Sequence, residues 1–209
     1  MNFLAHCLLA EQAATKLNLP DEVTRMLIAG GFIGDFLKGP VSASLPAALG
    51  VGVRLHRRID AYSNQNDAIR RSCNRFPEVL RRLAPPLVDV VADHLLAHAW
   101  RDHHEQPLNA FAQQTYRHIR ASDAHLPARG QEFFQWMVGN DLLTSYLDWN
   151  SVERGMRSIT RRLRRQDLDE YLSRDIPGLI TDLQQDFDVY FPELQQHAIE
   201  WLSAERQNW

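Results

Sequence analysis

Apolar residues return along this chain at intervals of three and four, with polar residues between them, over most of its length. That period marks helices that bury one face. It predicts a first helix over residues 2–17, with Phe3, Leu4, Leu8 and Leu9 on the apolar side and Asn2 as N-cap. Leu19-Pro20-Asp21-Glu22 restarts a helix, because proline suits the first position and acids suit the first turn. This second helix carries Val23, Met26 and Leu27 and meets Gly30-Gly31, where a bend or a close approach is allowed. Pro46 opens a segment from Ala47 to about Tyr62, and a short helix with Ile69 and Cys73 follows the polar joint 63–67. Leu87, Val90, Val91, Leu95 and Leu96 place a further helix over Leu87–His103. Others are expected at about 108–121, 129–147, 151–165 and 178–204, with Asn150 and Glu153 as a capping pair before the third of these. Nowhere do β-branched or aromatic residues alternate with polar ones for long, and no repeat or linker divides the chain. The expected fold is all-α, a single-domain helical bundle over residues 1–209.

Candidate chemistry centres on Arg54-Leu55-His56-Arg57-Arg58-Ile59-Asp60. On a helix His56 and Asp60 share a face, and an imidazole beside a carboxylate is half of a divalent metal site. Arg57 and Arg58 add two guanidinium forks of the shape that grips phosphate. The plainer alternative is a surface helix with one His–Asp pair and two solvated arginines. Three other places offer the remaining ligands. His6 stands among apolar neighbours, where a hydrogen-bonded core histidine is the commoner case. Asp35 interrupts the apolar Phe32-Ile33-Gly34-Asp35-Phe36-Leu37, either as a partnered carboxylate or as a turn former. Asp89 and Asp93 share a helix face, and His94 follows Asp93 at about 100° around the axis, so either both reach one metal at its flanks or one of that pair serves as a supporting partner.

Charge adds one feature. Lys16 and Lys38 are the only lysines among 23 basic residues. Arg154, Arg157, Arg161, Arg164 and Arg165 lie opposite the apolar Val152, Met156, Ile159 and Leu163 on one predicted helix. With only Glu153 nearby, they form a self-repelling ridge that an acidic helical partner would relieve; a solvated face behind a core stripe is the alternative. The net charge of −3 and pI near 6.3 argue against a general nucleic-acid binder. Cys7 and Cys73 match no zinc or redox spacing. No apolar run reaches membrane-spanning length, and the opening residues lack the basic start of a secretory signal. A cytoplasmic protein without membrane contact is expected.

Other active-site signatures are missing: no glycine-rich phosphate loop, no G-x-S-x-G, no H-E-x-x-H. Met1-Asn2-Phe3-Leu4-Ala5-His6, Gly34-Asp35-Phe36, His56-Arg57-Arg58-Ile59-Asp60 and Asp93-His94 with Trp100 occur in that order. Together they resemble the acyl-carrier-protein phosphodiesterases, a family similar in character to the helical HD-type metal phosphohydrolases. Here the contiguous pair reads Asp93-His94, where the simpler HD pattern has His-Asp. The resemblance implies hydrolysis of the phosphodiester joining 4′-phosphopantetheine to a serine of holo-acyl carrier protein. It implies Mn²⁺ as cofactor, with Mg²⁺, Fe²⁺ or Co²⁺ as alternatives. In that reading Asp35, His56, Asp60 and Asp93 hold the metal, Arg57 and Arg58 bind the phosphoryl oxygens, and His94 protonates the leaving serine. His6 is a further ligand or a supporting partner, and the arginine ridge docks the acidic carrier protein. A phosphohydrolase of nucleotides or other small phosphodiesters, and a non-catalytic helical binding module, are the competing readings.

Overall fold

A computed structural model describes residues 1–206, and among these there are helices and turns but no strand. The α-helices are α1 (Phe3–Lys16), α2 (Asp21–Ile33), α3 (Ala47–Ser63), α4 (Asp67–Arg75), α5 (Ala84–His98), α6 (Trp100–His103), α7 (Leu108–Arg120), α8 (Ala128–Gly139), α9 (Leu142–Ser145), α10 (Trp149–Arg162), α11 (Asp169–Asp175) and α12 (Ile180–Glu205). The all-α expectation holds. No helix among the described residues is long and apolar enough to cross a membrane.

Helix α1 lies at the centre, packed against α2, α3, α5 and α12. Every residue from Leu4 to Ala10 is buried, so this helix has no solvent face over that stretch. Burying Leu4, Leu8 and Leu9 stabilises the fold by about 2 kcal/mol each. The tightest crossing joins α2 to α3. A Cβ on Gly30 would come within 2.6 Å of the Gly52 backbone, so hydrogen is the largest group that fits there.

Three boundaries differ from the pattern. The expected helix over 129–147 breaks at Asp141, whose φ of 43° is left-handed. The Tyr116 hydroxyl holds the break, donating to Asp141 at 3.0 Å and accepting from the Leu143 N–H at 2.9 Å. The run through His103 stops at His98 and resumes as the short α6. The cap of α10 is Asp148, which accepts the Asn150 N–H, in place of the expected Asn150–Glu153 pair.

Asp186 of α12 fastens α4. Its buried carboxylate accepts from Ser72 Oγ at 3.1 Å and from Arg75 Nε at 2.7 Å, with Arg71 Nε at 3.4 Å. Burial alone would raise its pKa, but these donors outweigh it and hold the carboxyl below its usual value. Asp186→Ala is expected to cost about 2 kcal/mol, because Arg75 and Arg71 still reach water whereas the buried Ser72 hydroxyl loses its acceptor. A depressed carboxylate stabilises only above its unfolded pKa, and the contribution fades as pH falls through the folded one. The melting-temperature gap between wild type and variant should therefore be wide at pH 7 and close towards pH 3.

Candidate metal centre

Three helical segments bring their polar groups to one point. His6 comes from the buried N-terminal end of α1, Asp35 from the turn that ends α2, and His56 with Asp60 from one face of α3. His6 Nε2 lies 3.0 Å from Asp60 Oδ1, and His56 Nε2 lies 3.3 Å from Asp60 Oδ2. The two imidazoles stack at 3.9 Å between ring centres. Donor atoms of His6, His56 and Asp60 all fall within 4.8 Å of one another. Asp35 Oδ1 stands 3.8 Å from His56 Nε2, with its side chain 43% exposed at the mouth.

Small residues make this convergence possible. A Cβ on Gly34 would sit 2.5 Å from the His56 ring, and one on Gly31 would meet the His6 carbonyl at 3.0 Å. His56 Nδ1 donates to the Gly31 carbonyl at 2.8 Å, which fixes the ring and directs Nε2 into the cluster. His6 is pushed down to about 3 by burial, with the neighbouring His56 adding to the effect. Burial works against a charged His56, yet the hydrogen bond and charge of Asp60 outweigh it and raise the group. Asp60 is held far below the usual carboxylate range despite its burial, by hydrogen bonds from His56 and His6. Burial is the chief cause that raises Asp35.

The donor set suits a divalent cation. Two imidazole nitrogens and one or two carboxylates are borderline-to-hard ligands of the kind Mn²⁺, Fe²⁺ and Zn²⁺ accept. His6 Nδ1 is buried without a hydrogen-bond partner.

Placement bears on four of the expected site residues. Asp93 is fully buried and spends both oxygens on α1, accepting the Leu4 N–H at 2.8 Å and the Ala5 N–H at 3.1 Å. It caps that helix from α5, because the first N–H groups of a buried helix need an acceptor and the expected cap, Asn2, is turned to the Tyr146 hydroxyl instead. Burial raises Asp93 to about 7 in spite of those two bonds. His94, about 100° further round α5, faces away: Nδ1 meets the Tyr146 carbonyl at 2.7 Å and the ring packs on His98 and Trp149. Arg57 is not a free clamp. Its guanidinium donates to the carbonyls of Gly39 at 2.7 Å and Leu37 at 2.9 Å, strapping down the loop that follows Asp35. Arg58 is exposed, and the backbone of α3 at this residue adjoins His197 of α12.

The arginine ridge is also less bare than its helix alone suggests. Arg157 binds Glu153 at 2.7 Å, Asp169 at 3.3 Å and Ser173. Arg165 binds Asp167, and Arg154 binds Ser151 with Asp148 at 3.9 Å. Arg161 and Arg164 stay exposed. Asp148, Asp167 and Asp169, outside α10, together with Glu153 within it, offset part of the repulsion.

Sequence patterning gave no sign of the role of Asp89, which pairs with the Met1 amino group at 2.8 Å and so brings a positive charge to 3.9 Å from Asp60. Burial of that amine is offset by Asp89 and Asp60, and its pKa rises.

An all-α scaffold that brings two histidines and an aspartate from separate helices within 4.8 Å of one another defines a class: helical proteins with a clustered donor set that could hold a metal ion. The chain belongs to the acyl carrier protein phosphodiesterase family, whose sequence model matches residues 1–194. Within that family it is a hydrolase. It is 26% identical over 199 residues to the acyl carrier protein phosphodiesterase of Shigella boydii serotype 18, covering 95% of this chain and 97% of that protein. Proteins of the same name from Salmonella dublin and Escherichia coli O45:K1 are each 25% identical with the same coverage. No solved structure matches the chain.

Proposed function

We propose that this protein releases 4′-phosphopantetheine from holo-acyl carrier protein, hydrolysing the phosphodiester to the carrier serine with Mn²⁺ held by His6, His56 and Asp60. The observation that carries this reading is the convergence of two imidazoles and a carboxylate from α1 and α3 on one gap, in a chain of this family. A divalent cation in such a place supplies Lewis acidity to a phosphoryl oxygen and lowers the pKa of coordinated water. Asp60 offers one carboxylate between both imidazoles, and Asp35 at the mouth completes the donor set. Gly31 fixes the His56 ring through its carbonyl, so that no reorientation is needed when substrate arrives.

Arg57 acts on the reaction indirectly, by holding the loop beside Asp35 in place. Lys38 on that loop is exposed, and its charge reaches Asp35, so it offers a cation to a phosphodiester at the cluster. The carrier protein is acidic, and the exposed Arg154, Arg161 and Arg164 remain candidate contacts for its surface. The reaction belongs in the cytoplasm, where Cys7 and Cys73 stay unpaired thiols.

The test is to incubate purified protein with holo-acyl carrier protein and follow the mass of the carrier. Apo carrier and free 4′-phosphopantetheine should accumulate. Chelation should lower the rate at least about 100-fold, and added Mn²⁺ should restore it. Turnover indifferent to the chelator would overturn the metal assignment; an unmodified holo carrier would overturn the substrate.

A further inference from the structure

Beside the cluster runs a strip of aromatic rings that the catalytic reading does not use. Phe3 stands one helical turn before His6, and Phe36 directly follows Asp35. Their rings lie parallel at 6.5 Å. Phe133 of α8 packs against Phe36 at 5.5 Å and Phe3 at 5.1 Å, and Trp136 extends the row from Phe133 at 5.4 Å. Exposure grows outward: Phe3, Phe36 and Phe133 are half-buried, whereas Trp136 is 51% exposed. Gly130 lets α8 lie this close, since a Cβ there would come within 3.1 Å of the Phe36 ring. An exposed tryptophan at the end of such a row leaves apolar area uncovered in the isolated chain.

We propose that this strip is the binding site for the pantetheine arm, with the pantoyl gem-dimethyl group against Phe36 and Phe3 and the amide-bearing remainder extending over Phe133 towards Trp136. The inference rests on the phosphopantetheine reading above. With the phosphodiester at the metal cluster, one ester oxygen leads to the carrier serine and the other leads to the arm. Along the arm, the carbon bearing two methyl groups comes only one methylene after the ester oxygen. A bulky apolar group is therefore fixed within a few bonds of phosphorus, and the rings flanking Asp35 and His6 meet that requirement. Beyond it come amide planes, which stack on aromatic faces. Charge runs in the matching sense: Lys38 lies at the cluster end, by the anionic phosphate, and the strip itself is uncharged.

The test uses Mn²⁺-loaded full-length protein, free 4′-phosphopantetheine and inorganic phosphate as calorimetric ligands, and holo-acyl carrier protein as substrate. Wild type should bind 4′-phosphopantetheine more tightly than inorganic phosphate. Trp136→Ala, at an exposed position that melting should show to be folded, should lose about tenfold of that preference. Trp136→Phe should recover most of it. Equal preference in wild type and W136A would overturn the inference while leaving the hydrolase reading intact. Weaker handling of holo carrier by W136A with unchanged affinity for free 4′-phosphopantetheine would assign the strip to the carrier's protein surface, and would also overturn it. Arm-dependent binding by a wild type that cannot cleave holo carrier would support the strip and sink the reaction.

Discussion

Replacing Asp60 by alanine is expected to reduce release of 4′-phosphopantetheine from holo-acyl carrier protein by about 10³-fold or more. The carboxylate is the hub of the cluster, in reach of both His6 and His56. Its loss removes one of the three convergent donors and also the partner that raises His56. The side chain is 43% exposed and leaves no sealed cavity, but the buried His6 and His56 lose a hydrogen-bond partner, so about 2 kcal/mol of stability should go with it. Single-turnover rates with purified carrier protein, beside a melting curve, separate loss of chemistry from loss of structure. A folded variant that kept more than about a tenth of wild-type turnover would remove Asp60 from the account.

Gly30→Ala should be the most damaging single methyl in the chain. The added carbon would face the Gly52 carbonyl carbon and Cα at 2.6 Å and the Val53 nitrogen at 2.7 Å. These are backbone atoms, with no rotamer to yield, so α2 and α3 must part. Overpacking of that kind costs about 3 kcal/mol, which for a chain of this length lowers the melting temperature by about 10 °C. The same two helices position Asp35, His56 and Asp60, so turnover should fall together with stability. Gly139→Ala is the matched control, because a Cβ there meets nothing within 4 Å. Thermal melts of the two variants side by side decide the point; equal melting temperatures would show that the crossing is not tight.

The helices were legible because a 3.6-residue period survives any tertiary arrangement. The His56–Asp60 pair was legible for the same reason, since its geometry is set within one helix. His6 stood out as a histidine among apolar residues, but its stacking on His56 depends on how closely α1, α2 and α3 approach, which only the assembled glycines decide. Asp93 was misread because the N–H groups it caps belong to a helix 88 and 89 residues earlier in the chain. Local spacing shows an acid beside a histidine and cannot show a distant helix terminus in need of an acceptor. Arg57 was misread likewise: the guanidinium fork was visible, but not the carbonyls of Leu37 and Gly39 that occupy it. On α10, three of the acids that offset the arginines come from positions 148, 167 and 169, beyond the ends of the helix, where a wheel of its own residues does not show them.

Catalysis as proposed requires that His6, His56 and Asp60 share a cation. Equilibrium titration of metal-stripped protein with Mn²⁺, counted by the free-ion signal in electron paramagnetic resonance, addresses that without any substrate. Wild type should take up Mn²⁺ at a site that Asp60→Ala and His56→Ala each abolish, and Asp93→Asn should keep that site if it remains folded. Undiminished binding in the first two variants, or no binding by wild type, would contradict it.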